Sequence, residues 1–436
     1  MIIMGFLLTT ALPNFIRMEI LMDENRFRTN LKELPQHLNM NTISAGLVAA
    51  IFGCTGPALI IIGAATTGGL TYTQAISWIF AVYFFSGLLG IFIALKYRQP
   101  ISVAHTIAGA VLMAGSLTHF SIHEAIGAYI IANILVILLG STGLIEKVMK
   151  WIPLPIVMGM ITGLMIQFAT DMITSITIKP LLAGLAILTF LLSSRYLKKF
   201  PPVLSALLVS VVVAIFTNAF EFPAVQNVFV LPEVVMPTFS WGAVMSISIP
   251  LALLIICTEN AQAIGVLMAQ GYKPPMTGMA VYGSSVGLFA SLFGGHAINI
   301  AGPMTAICSA DEVGKKDSRY VASVMNGVFF ACFGLFAALV VPFVIAVPEV
   351  IVTVIAGLAM LGVLINSLKT AFTDNKFQMG AFFALIIGMS GVNFFNIGAP
   401  LWAIVGSLFV SLLVEKNDFA FNVRKEGNAK KIETSA

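Results

Sequence analysis

One carboxylate stands apart from the others in this chain. Of the 19 acidic residues, nearly all fall between apolar stretches or at their ends, whereas Glu259 lies within one, among Ile255, Ile256, Ile264 and Val266. A charged carboxyl at the centre of a membrane-spanning helix costs roughly 2.5–3.5 kcal/mol on insertion scales. Such a residue is either a protonated structural partner of a neighbouring segment or a group that carries a proton or holds a substrate. Asn260 and Gln262 adjoin it, and the polar run Thr258-Glu259-Asn260 exceeds what packing requires, which favours the second role. Two imidazoles join it as candidates. His105 and His296 each sit where an apolar stretch opens with residues suited to extended backbone, and Thr106, Asn299 and Gly302 belong to the same breaks. A lone intramembrane His is often a satisfied interhelical donor; two at corresponding breaks suit binding, with Thr106 and Asn299 able to hold a carboxylate or an amide. His37, His119 and His123 fall in loops and Asp171 at the outer end of a stretch, and no binding role is read there. Cys54, Cys257, Cys308 and Cys332 lie inside apolar stretches without metal-ligand spacing. They read as small packing groups, so neither a metal nor a cofactor is expected.

The composition says what must position these residues. Hydrophobic residues make up 58% of the 436 and charged residues 10%, against roughly 25% charged in a soluble domain. The solvent is mostly lipid. From about Met40 to about Glu415 the chain divides into fourteen apolar blocks, at about 27 residues per block with its loop. A helical span takes roughly 20 residues, so the loops are short and an extramembrane domain is excluded. The expected organisation is a cytoplasmic leader (1–40, interfacial or disordered), spans 1–7 (41–220), an extracytoplasmic connector (221–244), spans 8–14 (245–415) and a cytoplasmic tail (416–436). Residues 1–13 are apolar with no basic segment before them, and Phe15, Met18, Met22, Phe27, Leu31 and Leu34 recur among charges as in an interfacial helix. Twenty-two of the 23 Lys and Arg fall in the leader, the tail or every second loop, and Lys179 alone falls on the other side. Positive loops stay cytoplasmic, so both termini are expected inside a cytoplasmic (inner) membrane. The net charge of +4 follows this topology and implies no nucleic-acid partner.

The two halves echo each other. Span 1 carries Cys54-Thr55 with Ala58 after it, and span 8 carries Cys257-Thr258 with Ala261 after it. Ile107-Ala-Gly109 in span 3 (101–117) returns as Ile300-Ala-Gly302 in span 10 (294–310). A separation of seven spans, an odd number, gives the halves opposite orientations, an inverted repeat. Span 3 opens Pro100-Ile-Ser-Val-Ala-His105 and span 10 opens Gly294-Gly-His-Ala-Ile-Asn-Ile300, each reading as a short extended stretch followed by a half-helix. Unpaired backbone at that depth is tolerated only when buried in protein or lining a cavity. Two half-helix N-termini would then face each other near the midplane, each with about half a positive charge and free N–H groups. That is an anion site without a basic side chain. The pairs Gly159/Gly163 and Gly283/Gly287 read as packing seams.

The string Phe293-Gly-Gly-His-Ala-Ile-Asn-Ile-Ala301, followed by Thr305-Ala-Ile-Cys308, resembles the signature of the benzoate:proton symporter (BenE) family. Gly271-Tyr-Lys-Pro-Pro275 and Thr258–Val266 are similar to its eighth-span region. The resemblance covers about residues 40–415. It implies an all-α membrane protein of fourteen segments in a 7+7 inverted repeat, with short strands in segments 3 and 10 and with core and gate domains, a fold shared with uracil/xanthine and sulfate permeases. It also implies proton-coupled uptake of a small aromatic carboxylate such as benzoate, with a homodimer left open. One position departs from the family: an amide commonly stands where this chain has Glu259, and a carboxylate there resembles the nucleobase permeases. A proton-coupled nucleobase permease is therefore the alternative. An anion channel is less favoured, because no ring of charges or filter motif is present, and no nucleophile–base set suggests an enzyme.

Overall fold

The computed structural model describes residues 14–144, 153–197, 202–219, 230–339, 341, 348–373, 375–394 and 397–419. Residues 1–13, 221–229 and those from 420 onward lie outside these, as do Lys147, Lys150, Lys198 and Lys199. The first described helix, α1 (Asn14–His37), lays Phe27 and Leu34 against Leu95, Tyr320 and Val321. It is tied down by Asn30 Nδ2 donating to the Leu95 carbonyl at 2.7 Å and by an ion pair between Arg98 and Glu33 at 2.6 Å.

Short polar triplets start the next helices. α2 (Met40–Thr67) opens with a reciprocal box between Asn39 and Thr42, and α3 (Tyr72–Tyr97) with one between Thr71 and Gln74. Each box satisfies two of the amides that a helix N-terminus leaves free. After α3 the chain leaves the helix at Pro100, and β-branched Ile101 and Val103 favour extended backbone. β1 (Val103–His105) follows, then the ten-residue half-helix α4 (Ile107–Ser116), then α5 (Ile122–Ser141), capped by Ser121 and Glu124. Three more helices complete the first half: α6 (Leu154–Ile178), α7 (Pro180–Tyr196) and α8 (Pro202–Phe216).

The second half opens with α9, which is α-helical over Trp241–Ala243, Ile249–Leu254 and Asn260–Ala269 and wider, with π-turns, over Val244–Ser248 and Ile255–Glu259. π-turns commonly mark functional sites, and Glu259 closes the second one. α10 (Met276–Ser291) ends in a turn that needs Gly294 at φ +87°, a conformation L side chains rarely adopt. β2 (Ile298–Ile300) and the eight-residue α11 (Gly302–Ser309) come next. α12 (Tyr320–Leu335), α13 (Glu349–Phe372), α14 (Gln378–Ser390), a two-residue strand pair (β3, Asn393–Phe394; β4, Ile397–Gly398) and α15 (Ala399–Val414) complete the described chain.

β1 and β2 pair antiparallel with Val103 opposite Ile300, Ala104 opposite Asn299 and His105 opposite Ile298. The Ala301 amide adds a bond to the Ser102 carbonyl at 2.9 Å. The two segments thus satisfy each other's backbone in the interior, where every strand residue is buried.

Helix packing sorts the remainder into two groups. In one, α12 packs on α2 and α3, α10 packs on α5, and α2 packs on both half-helices. In the other, α6 packs on α13 and α14, α14 on α15, and α7 on α8. Glycines set the close approaches: a Cβ on Gly327 would stand 2.6 Å from the Gly87 carbonyl oxygen, and one on Gly283 2.7 Å from that of Ile298. Gly159 and Gly163 bring α6 against the backbone of α14 at Ala381 and Leu385 in the same way. Between the groups lies a cavity of about 1370 Å³, reached by Val111, Gln167, Asp171, Lys179, Ser246 and Glu349. Among the described residues, four helices (α2, α3, α5 and α6) are long and apolar enough to cross a membrane by length and composition. The protein is a mostly helical, multi-pass membrane protein.

Candidate functional site

The strand-to-helix break of each half meets the π-turn of α9. Thr106 is the N-cap of α4: its Oγ1 accepts from the Gly109 amide at 3.1 Å. The same hydroxyl donates to Glu259 Oε1 at 3.0 Å, and the Ile107 amide, a free N–H of the first helical turn, donates to that oxygen at 2.8 Å. From the other half, Asn299 Nδ2 donates to Glu259 Oε2 at 2.7 Å. One carboxyl therefore joins the first break to the second. Thr106 is wholly buried and Asn299 is 2% exposed, so the carboxyl is aimed at the protein interior.

The histidines differ in what holds them. Trp78 Nε1 lies 3.0 Å from His296 Nδ1, and His296 Nε2 lies 2.8 Å from the Thr106 carbonyl. An indole N–H only donates, so Nδ1 accepts and the hydrogen sits on Nε2, donating to Thr106. His296 thereby orients the residue that caps α4. His105 is 4% exposed, with its ring 5.0 Å from that of Tyr83 and 5.6 Å from that of His296. Neither of its ring nitrogens has a hydrogen-bond partner among the described residues.

The remaining expected residues sit as follows. Asn260 turns to the strand: its Oδ1 accepts from the Ile300 amide at 3.2 Å, bracing β2. Gly302 is buried in the first turn of α11, whose N-cap is Ala301 and so supplies no side-chain acceptor. Gln262 follows on α9, and its side chain lies outside the described residues. Asp171 accepts from Gln167 at 2.7 Å on the cavity wall. Trp78 and Tyr83 were not legible as site residues, since both come from α3, and Trp78 is 218 positions from the histidine it holds. Among the described residues no group of three or more His, Cys, Asp or Glu could hold a metal.

These residues make a compact hydrogen-bonded junction, with one carboxylate drawing on donors from both halves and one buried imidazole beside it without a partner. That arrangement can hold and release a proton or a small polar guest.

Comparison with known proteins agrees with this architecture. The benzoate membrane transport protein of Acinetobacter baylyi is 28% identical over 389 residues, spanning 89% of this chain and 98% of its own. Inner membrane protein YdcO of Escherichia coli is 28% identical over 383 residues, 87% of this chain and 98% of its own. In three dimensions the transmembrane domain of a cyanobacterial bicarbonate transporter, BicA, superposes with a TM-score of 0.58 at 14% identity, covering 85% of this chain and 98% of that one. SLC26A9 does so at 0.60 and 14%, covering 88% and 67%. At these identities the structural likeness concerns the fold. The model of the benzoate membrane transport protein (BenE) family matches residues 36–413, and the chain belongs to that family of membrane transporters.

Proposed function

We propose that the protein is a secondary active transporter that carries a small aromatic carboxylate such as benzoate into the cell with a proton. The observation that carries this reading is the junction at Glu259, where one carboxyl is held by Thr106 and Ile107 from one break and by Asn299 from the other. A titratable group bonded to both breaks lies within the proposed core, beside the expected substrate position, where its charge can change with that of the guest. The physical need is plain. An anion entering against an inside-negative potential costs about 2.3 kcal/mol per charge per 100 mV. A proton taken along cancels that charge, and each pH unit of gradient then adds about 1.4 kcal/mol.

In this reading the chain crosses an inner (cytoplasmic) membrane fourteen times as two inverted sets of seven, with both termini cytoplasmic. The packing supports it, because the contacts obey an exchange of halves: α3 on α12 corresponds to α10 on α5, and α7 on α8 to α14 on α15. The group with both half-helices is the core and the group around α6 and α13 the gate. Substrate binds at the breaks, with His105, Thr106, His296, Asn299 and Gly302 around it, Asn260 bracing β2 behind them and Glu259 as the proton carrier; Gln262 is proposed as a further substrate-binding residue. A homodimer is compatible with this arrangement and is part of the proposal, not of its support.

A second reading is favoured by Glu259 itself. The BenE resemblance places an amide there and the nucleobase permeases a carboxylate, so a uracil- or xanthine-type substrate is the alternative. Uptake into proteoliposomes, with benzoate, substituted benzoates, uracil, xanthine and sulfate as competitors, separates the two: inhibition by aromatic acids alone supports the first, and by nucleobases alone the second. Glu259→Gln is expected to abolish concentrative uptake while leaving exchange; proton-driven accumulation at the wild-type level in that variant removes Glu259 as the carrier.

A further inference from the structure

We infer that the carboxylate of Glu259 is a built-in stand-in for the transported anion: while ionised it occupies the N-terminal end of α4, and when it takes a proton it yields that end to the carboxylate of the substrate. This deepens the aromatic-carboxylate reading above and rests on it. Its basis is that the expected anion position at α4 is already filled. Glu259 Oε1 takes the Ile107 amide at 2.8 Å and the Thr106 hydroxyl at 3.0 Å, the contacts an incoming anion would make with a helix N-terminus. Asn299 Nδ2 completes the grip at 2.7 Å. The half-helix of the other repeat, α11, has Ala301 as its N-cap and no side-chain cap bond among the described residues.

Electrostatics turns this occupancy into an exclusion. Two carboxylates at one helix end repel each other in a poorly solvated interior, and charge-assisted hydrogen bonds are roughly twice as strong as neutral ones. Ionised Glu259 therefore holds the donors against an anion, and neutral Glu259 loses them to one. The proton comes from the solution on the side from which substrate enters, and it leaves with the substrate on the other. Other titratable groups near the junction do not replace it. His296, ahead of β2, has both nitrogens engaged by Trp78 and by the Thr106 carbonyl. α11 brings Cys308, and α6, packed on the same π-turn, carries only Asp171, toward its end at the cavity wall. His105 on β1, one residue before the cap of α4, is more than nine-tenths buried and without a hydrogen-bond partner among the described residues, packed on Tyr83 and His296. The exchange predicts selectivity: it gates anions and is indifferent to neutral guests.

The test is calorimetric titration of the purified full-length protein with benzoate between about pH 5.5 and about pH 8. Wild-type affinity is expected to fall about tenfold per pH unit in the upper part of that range, with close to one proton taken up per benzoate bound. Glu259→Gln and Glu259→Ala are expected to bind as tightly as wild type at its lowest pH and to stay within about threefold across the range. Folded variants that lose benzoate, or that keep the wild-type pH profile, overturn the displacement while leaving the substrate reading intact. Wild-type binding without proton uptake overturns it too and needs no variant. A wild type that binds no aromatic carboxylate at any pH overturns the substrate reading and the displacement with it.

Discussion

At the scale of single residues, the site depends on a chain of donors that runs from Trp78 to Glu259. Trp78 fixes the hydrogen of His296 on Nε2, Nε2 holds the Thr106 carbonyl, and the Thr106 hydroxyl reaches the carboxyl. Trp78→Phe keeps most of the ring's bulk and removes the one N–H, leaving His296 Nδ1 buried without a donor. The expected result is a loss of about 1–3 kcal/mol of stability in thermal or denaturant unfolding, together with a several-fold drop in the rate of benzoate uptake. Unchanged stability and uptake would show that the tautomer of His296 is not set by Trp78. The sequence made Glu259 conspicuous because a carboxyl inside an apolar block carries an energetic cost that must be offset somewhere. It made Thr106 and Asn299 visible through their place beside the breaks. Three things were hidden. Trp78 has no local relation to His296, the bracing role of Asn260 depends on where β2 lies, and the seating of Glu259 on α4 depends on how α9 is rotated.

At the scale of elements, the two short helices need their ends held as firmly as their starts. α11 has eight residues and an uncapped N-terminus, so little of its own hydrogen bonding keeps it in place. Arg319, 8% exposed, answers at the other end: its Nη1 donates to the Ser309 carbonyl at 2.7 Å, its Nε to the Gly314 carbonyl at 2.9 Å and its Nη2 to Asp311 at 2.6 Å. A cation at a helix C-terminus also opposes the negative end of the dipole. The ion pair itself adds little, because Asp311 is largely exposed; the bonds to the carbonyls carry the effect. Arg319→Gln is expected to lower stability by about 2–3 kcal/mol and to raise the KM for uptake more than it lowers the maximal rate, since α11 belongs to the proposed binding site. Arg319→Lys should fall between, because Arg reaches Ser309, Gly314 and Asp311 from three separate nitrogens of a rigid fork, whereas Lys offers its donors from one compact ammonium. A Gln variant with wild-type unfolding and KM would deny Arg319 this role. The membrane-transporter architecture was legible because apolar blocks separated by short polar breaks are a local signal, whereas the caps Asn39, Thr71 and Ser121 were not singled out. The π-turns of α9 were not, since nothing in Ile255–Glu259 distinguishes them by composition from an ordinary α-helical stretch.

At the scale of the whole molecule, what remains is the relation between the two helix groups and the cavity of about 1370 Å³ that separates them. Its wall takes Val111 from α4 and Ser246 from α9 on one side and Gln167 and Asp171 from α6 on the other, so motion of one group against the other must change its width. Lys179 lies on the same wall, and it is the one basic residue that the charge pattern assigns to the outer face. In the proposed orientation the cavity therefore opens outward, toward arriving substrate, and the junction at Glu259 lies beneath it. A cysteine at Gln167 reports on this directly, because Gln167 is exposed on the cavity wall. In a background with the native cysteines replaced, Gln167→Cys in right-side-out vesicles is expected to react with a membrane-impermeant thiol reagent added outside. The rate should fall several-fold when benzoate is supplied at an acidic external pH, and stay unchanged with benzoate at an alkaline pH or with acid alone, since in the proposed cycle only the doubly loaded carrier turns inward. Labelling that occurs only from the cytoplasmic face would place the cavity on the inner side and reverse the proposed topology. Protection by benzoate without a proton would uncouple the motion from Glu259.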